Sequence, residues 1–261
     1  MNIVIPMAGH SRRFRAAGYQ TPKAFIEING RPMVHWVCQM FSPKDHFNFV
    51  TLKEHASNET YRNILESVAQ NTTVIEIDPH EKGPVYSAIL ADSEVPDDEP
   101  VIICYCDFYQ HWNYRKFVEK MSSNGGGMAV FKGFHPASFG DTYYAYLRAN
   151  ERNEMLELRE KQSFTDNRHD EYASTGVYYL ESWKLFSKFA HMVLDQGIKV
   201  GNEYYASLIY NPMVSEGITV GLFEVDKFIC WGTPEDLEQF LFWNDFFVRD
   251  IPKIIERSAY D

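Results

Sequence analysis

Two cations and a cluster of small residues near the N-terminus are the part of this chain best suited to chemistry. The run Ile5-Pro-Met-Ala-Gly9-His-Ser-Arg-Arg13-Phe is followed by Gly18-Tyr-Gln-Thr-Pro22-Lys23. An apolar strand ends at Pro6, and Ala8, Gly9 and Ser11 are small enough for the backbone to turn tightly. Successive backbone N–H groups in such a turn form a concavity that binds anions. Arg13 and Lys23 arrive within the same excursion, and a guanidinium fork and an ammonium there would offset the charge of a triphosphate. Two familiar phosphate loops are absent: Gly9 lacks the partner glycines of GxGxxG, and no Gly-Lys-Ser/Thr occurs anywhere in the sequence.

The second chemical position is Asp107. Val101–Cys106 is an unbroken apolar run of the buried parallel-strand kind. A carboxylate where that strand meets a ligand rim is costly unless a cation partners it.

The elements needed to position these groups follow from the pattern. Strands at Asn2–Pro6, Phe47–Leu52, Thr73–Ile77 and Val101–Cys106 alternate with helical spacings at Pro32–Met40, Glu59–Ala69 and Gly83–Ala91. Such alternation predicts an α/β fold with a mostly parallel sheet flanked by helices, and ligands then sit outside the carboxyl ends of the strands. The loops after Pro6 and Cys106 share one rim. Beyond Met121 the texture changes. Asn124-Gly-Gly-Gly127 reads as a turn, and strands follow at Met128–Phe131, Tyr143–Leu147, Met155–Leu158, Ser174–Leu180 and Thr219–Val225. Helices are expected at Trp183–Asp195, at Glu203–Tyr210 (stopped by Asn211-Pro212), and from Thr233 onward with Thr as N-cap and Pro234 at the first position. The aromatic residues Phe240, Phe242, Trp243, Phe246 and Phe247 of that last helix exceed what one core seam needs, which leaves room for a homo-oligomer.

The 261 residues suit one domain with an appended subregion. A net charge of −11 argues against a nucleic-acid backbone or a membrane surface as partner, while a local positive pocket for a small anion remains compatible with it. The N-terminal apolar run is too short for a signal-peptide core, and no run approaches the ~20 apolar residues of a membrane span, so the expected location is cytoplasmic. Cys38, Cys104, Cys106 and Cys230 form no CxxC pair and read as buried free thiols.

Taken together, these segments resemble the sugar-phosphate and CTP-using nucleotidyltransferases, whose loop pattern is roughly P-M-A-G-x-G-S-R-F, a spacer, then P-K. The likeness continues through the Val101–Asp107 strand, the Arg159-Glu160-Lys161 segment, Ser174-Thr-Gly-Val-Tyr178 and the closing Gly232-Thr-Pro-Glu-Asp-Leu237. It implies a Rossmann-like (GT-A-like) sheet with a smaller mixed acceptor-binding subregion. It also implies transfer of a nucleoside monophosphate from an NTP, CTP favoured, to a small phosphorylated metabolite with release of pyrophosphate. Arg13 and Lys23 would be catalytic. Met7, Ala8, Gly9, His10, Ser11, Gly83, Pro84, Tyr86 and Cys106 would join them around the nucleotide. Glu160, Lys161, Gly176 and Glu203 would face the acceptor, and Asp107 would hold Mg²⁺. In these terms 1–125 is the nucleotide-binding part, 126–232 the acceptor-binding part and 233–261 a C-terminal helix. Tyr105-Cys-Asp-Phe108, Gly83-Pro-Val-Tyr-Ser-Ala88 and Gly201-Asn-Glu-Tyr-Tyr205 are similar to a branch of capsule and surface-glycan biosynthesis proteins that includes a phosphoglutamine cytidylyltransferase.

Two positions depart from the pattern. Ser11 stands where the family has its second glycine, beside an additional Arg12. The stretch Ile229-Cys-Trp-Gly-Thr233 lacks the acid that many relatives use as a second metal ligand, a role left to Glu203, to Asp236 or to the phosphates. Two alternatives accompany the main reading. One is a GT-A-type glycosyltransferase, disfavoured because Asp107 is followed by Phe108-Tyr109 rather than completing Asp-x-Asp. The other is a catalytically silent nucleotide-binding protein.

Overall fold

A computed structural model describes residues 1–138 and 140–250. The strands in chain order are β1 (Asn2–Pro6), β2 (Glu27–Ile28), β3 (Arg31–Pro32), β4 (His46–Leu52), β5 (Asn71–Ile77), β6 (Val101–Cys104) and β7 (Phe108–His111). They continue with β8 (Gly126–Phe131), β9 (Ala145–Ala149), β10 (Met155–Glu160), β11 (Tyr172–Leu180), β12 (Val220–Glu224) and β13 (Lys227–Cys230). Among the described residues one large sheet runs β10-β9-β11-β6-β1-β4-β5, with β8 and β12 branching from β11. The pairs β6-β1, β1-β4 and β4-β5 are parallel. Antiparallel pairs take over at β11, β9 and β10. The parallel half and the mixed half match the expected α/β architecture.

Period-two alternation explains why both faces of this sheet are covered. Val4, Val101 and Ile103 point into a core shared with the helices Pro84–Ile89 and Trp183–Asp195. Ile3, Ile5, Ile102 and Cys104 point the other way, against Val34 and Val37 of Met33–Cys38, Leu65 of Glu59–Ser67 and Phe117 of Tyr114–Met121. A third cluster bears directly on function. Phe14, from the short helix Arg12–Ala16, packs with Ile26, Met33, Trp231 and Leu237. It anchors the turn after β1 to the C-terminal helix Pro234–Asp245, which starts as expected: Thr233 caps it by accepting the Asp236 N–H at 3.1 Å. A wider π-type turn, Phe246–Asp250, continues that helix. Phe242, Trp243 and Phe247 are exposed on it, and the expected extension over 251–261 lies outside the described residues.

Three expectations are corrected. Gly126 and Gly127 belong to β8 rather than to a turn. They are glycines because a Cβ on Gly127 would sit 2.1 Å from Met121 Sδ, and one on Gly126 2.9 Å from Tyr210 Cε1. Asn211-Pro212 does not stop a helix. It opens one, Tyr210–Ser215, because proline in a first turn forfeits no intrahelical hydrogen bond. Residues 203–205 accordingly form an extended approach to a 3₁₀ turn at Ala206–Ile209. The four cysteines are buried and free, as expected. Among the described residues no helix is long and apolar enough to cross a membrane.

Candidate active site

The carboxyl ends of β1, β4, β5 and β6 open on a cleft of about 660 Å³. The turn after β1 supplies Met7, Ala8, Gly9, His10, Ser11 and Arg13; the next excursion brings Lys23; the strand end at β6 brings Cys106 and Asp107. The loop after β5 contributes Gly83 and Pro84, and Lys161 and Glu203 close the far side. These predicted residues, scattered from position 7 to position 203, therefore share one space. Tyr86, Glu160 and Gly176 do not reach it. Tyr86 turns from the cleft onto His80, ring to ring at 4.8 Å, under the Lys82 ammonium. Gly176 lies behind Tyr105, whose N–H donates to its carbonyl at 3.1 Å. Glu160 is buried behind Lys161 and accepts from Ser207 Oγ.

At the centre, Lys23 Nζ lies 2.6 Å from Asp107 Oδ2, and the two side chains are 23% and 20% exposed. Burial alone would lower the Lys23 ammonium, but Asp107 outweighs it, so the lysine stays above its ordinary value. Burial alone would likewise raise Asp107. Lys23, then Arg13 and Lys161, reverse that and hold the carboxyl below the usual range. Both groups are charged at neutral pH and face the cleft. Burial pushes the Cys106 thiol up to about 11, so it lines the cleft as a neutral wall rather than as a nucleophile.

The turn achieves its shape differently from a double-glycine loop. Ser11 adopts φ 51°, ψ 35°, the left-handed conformation glycine favours. Its Oγ accepts the Lys23 N–H at 3.1 Å. Serine carries a conformational cost there and returns a tie between the phosphate turn and the lysine. Neighbouring Arg12 forms a solvent-exposed ion pair with Glu81. The Arg13 guanidinium has no ion-pair partner among the described residues and remains available to an anion. Across the cleft, Lys161 reaches the Tyr143 carbonyl at 2.5 Å and lies 5.4 Å from the Tyr205 ring centroid. Glu203 accepts from Tyr205 Oη at 2.5 Å.

Glu203 owes its place to Gly83. At φ 85° this glycine lies in a region closed to other residues, and a Cβ there would meet Tyr204 N at 2.8 Å. Hydrogen bonds Tyr204 N–H to the Lys82 carbonyl and Val85 N–H to the Tyr204 carbonyl clamp the two loops together. Asp236 is structural: it accepts from Thr142 Oγ1 at 2.7 Å and does not face the cleft. Tyr205 also lines the cleft, while Tyr146 is buried. Sequence reasoning passed over His55, Glu81 and Ser87, all of which line it. His55 was findable, because it follows β4 closely and so falls on the rim where the carboxyl ends of parallel strands meet ligands. Glu81 carried no comparable local signal, and Ser87 lay within the Gly83–Ala88 resemblance without being singled out.

A parallel sheet whose strand ends gather an anion-binding turn, two cations and a paired carboxylate defines a nucleotidyltransferase. The chain belongs to the family of the MobA-like NTP transferase domain, whose pattern matches residues 3–173. No curated protein matches the chain by sequence. Among solved structures, it is similar to a nucleoside-diphosphate-sugar pyrophosphorylase from Vibrio cholerae RC9 (20% identity, TM-score 0.75, covering 92% of this chain and 99% of that one). It is also similar to a putative glucose-1-phosphate thymidylyltransferase from Bacillus anthracis (18%, TM-score 0.71, 92% and 93%). A third likeness is to the inositol-1-phosphate CTP transferase from T. maritima (18%, TM-score 0.66, 92% and 94%). At these identities the likenesses establish the fold.

Proposed function

We propose that the enzyme transfers the nucleoside monophosphate of an NTP, CTP favoured, to a small phosphorylated acceptor, a sugar phosphate or a phospho-amino acid such as phosphoglutamine. The expected setting is capsule or surface-glycan biosynthesis. The observation that carries the reading is the Lys23–Asp107 pair set between the anion-binding turn and Lys161. Residues 1–125 would hold the nucleotide and 126–232 the acceptor, and the C-terminal helix Pro234–Asp245 would brace the turn through Leu237, beside Trp231.

The reaction brings two anions together, so positioning and charge neutralisation dominate its demands. An acceptor phosphate oxygen attacks the α-phosphorus, and the bond to the β-phosphate oxygen breaks to release pyrophosphate. Arg13 grips the β- and γ-phosphates. Lys23 moves from Asp107 to the α-phosphate and stabilises the charge that develops there. Lys161 holds the acceptor phosphate and Glu203 its polar remainder. Among the described residues no three His, Cys, Asp or Glu side chains converge as a metal cage. Among the cleft's carboxylates, Asp107 is the one set beside Lys23 at the strand end, a donor that fits Mg²⁺ when phosphates and water complete its shell. Bound there, the ion would polarise the phosphoryl oxygens and neutralise part of their charge.

The test is pyrophosphate release with each of four NTPs against sugar-1-phosphates, phosphoglutamine, phosphocholine and glycerol phosphate in the presence of Mg²⁺. Turnover with at least one pair is expected. NTP binding without release from any pair would favour a silent nucleotide-binding protein.

A further inference from the structure

His55 is 5% exposed and lines the cleft, yet neither ring nitrogen has a hydrogen-bond partner. Glu54 Oε1 is 3.5 Å from Nε2 without the geometry of a hydrogen bond; that carboxylate is 61% exposed and also faces Arg15 at 3.8 Å. Other buried polar groups lack partners too, including Asn48 and Gln110, but those do not line the cleft. An orphaned donor and acceptor covered in the wall of a binding cleft are explained if a ligand that displaces the covering side chains supplies what the fold withholds.

The surroundings specify that ligand's chemistry. His55 stands edge-on to Phe25 and to Tyr61, at centroid distances of 6.1 and 6.2 Å. Burial lowers its pKa, opposed by Glu54 and reinforced by Arg15 and His10, so the ring is neutral near pH 7 and offers one donor and one acceptor. A phosphate would gain little from a neutral ring among aromatic side chains, and the cleft's cations lie elsewhere, at Arg13 and Lys23. A planar group with apolar faces and a polar edge fits.

The sheet order agrees. Lys23 and Asp107 act at the ends of β1 and β6, whereas His55 follows β4, on the opposite flank of β1. A nucleotide with its α-phosphate at Lys23 can extend its base over β4 and β5. His80, the other histidine there, is already committed: Nδ1 accepts the Lys82 N–H at 3.2 Å, and Nε2 meets Ser87 Oγ at 2.9 Å.

We infer that His55 reads the polar edge of the nucleobase and helps set which NTP the enzyme accepts. This rests on the nucleotidyltransferase reading. The test compares unsubstituted protein with His55→Phe and His55→Leu, using ATP, CTP, GTP and UTP, with inorganic tripolyphosphate as a base-free competitor. Removing the orphaned nitrogens should raise the Tm of the substrate-free protein by about 2–5 °C. KM for the preferred NTP should rise roughly 10-fold, as one or two lost hydrogen bonds imply. Discrimination among the four NTPs should narrow, while acceptor KM and inhibition by tripolyphosphate stay unchanged. Three results would overturn the inference: an unaltered NTP preference, an equal weakening of tripolyphosphate, or a lower Tm in both variants, which would mark His55 as a structural group. Failure of the unsubstituted protein to bind any NTP would instead sink the nucleotidyltransferase reading on which it rests.

Discussion

The clamp between Gly83 and the segment carrying Glu203 gives the sharpest quantitative expectation. Gly83→Ala forces a side chain into φ 85°, a conformation costing about 1–3 kcal/mol for a non-glycine residue. The new Cβ would lie 2.8 Å from Tyr204 N and 2.9 Å from Glu203 Cβ, so the backbone opposite must give, adding about 1–3 kcal/mol. The combined cost of roughly 2–6 kcal/mol corresponds to a Tm about 4–24 °C lower for a domain of this size. If the loops separate to relieve it, the hydrogen bonds through Tyr204 break and Glu203 leaves the cleft, so acceptor KM rises instead. Gly197→Ala calibrates the first contribution, because Gly197 also has positive φ (66°) but nothing within 4 Å of its Cβ. It should cost only the conformational share, about 1–2 kcal/mol. Thermal unfolding and acceptor titration of both variants decide the matter. A Gly83→Ala protein no less stable than Gly197→Ala, with unchanged acceptor KM, would refute the reasoning.

Four further outcomes follow from the site. Lys23→Ala should reduce kcat about 10²–10³-fold while the circular dichroism spectrum is retained, the scale seen when one oriented transition-state contact is removed. Ser11→Ala keeps the left-handed backbone cost and loses the tie to Lys23, so it should melt below Ser11→Gly, which sheds both. Thr233→Ala should lower Tm by about 2–4 °C in a melting experiment by removing the N-cap of the helix that braces the phosphate turn. Burial raises the Glu160 carboxyl above its ordinary value, with Lys161 and Ser207 opposing. The folded state therefore binds this proton more readily than the unfolded state, and the residue subtracts stability as pH rises above about 4.5. Glu160→Gln should raise Tm at pH 7 but not at pH 4, as melts across that range would show.

How much of this was legible in the sequence depended on how far apart in the chain the relevant neighbours lie. The phosphate turn and Asp107 were readable because a strand end, small residues and a charge stand together locally. The tandem Gly126-Gly127 was misread as a turn because the pressure on it is tertiary. Tyr210 and Met213 come from a helix over 80 residues away. Met121, though near in sequence, meets Gly127 only once its helix packs on β8. Pro212 read as a stop because local preference does not distinguish the end of one helix from the first turn of the next. Tyr86 was expected at the nucleotide, but Pro84 starts a helix whose direction carries that ring away from the cleft. Ser11 looked like a departure from a glycine position, and the structure gives it the glycine's backbone with an added hydrogen bond.

The central claim is that the triphosphate binds on the turn after β1 with its α-phosphate between Lys23 and Asp107. A crystal structure with a non-hydrolysable NTP analogue and Mg²⁺ tests it most directly. The account predicts the β- and γ-phosphates on Arg13 and the 9–11 backbone, and the Lys23 ammonium swung from Asp107 to the α-phosphate. A triphosphate lodged elsewhere, with the Lys23–Asp107 pair undisturbed, would contradict it.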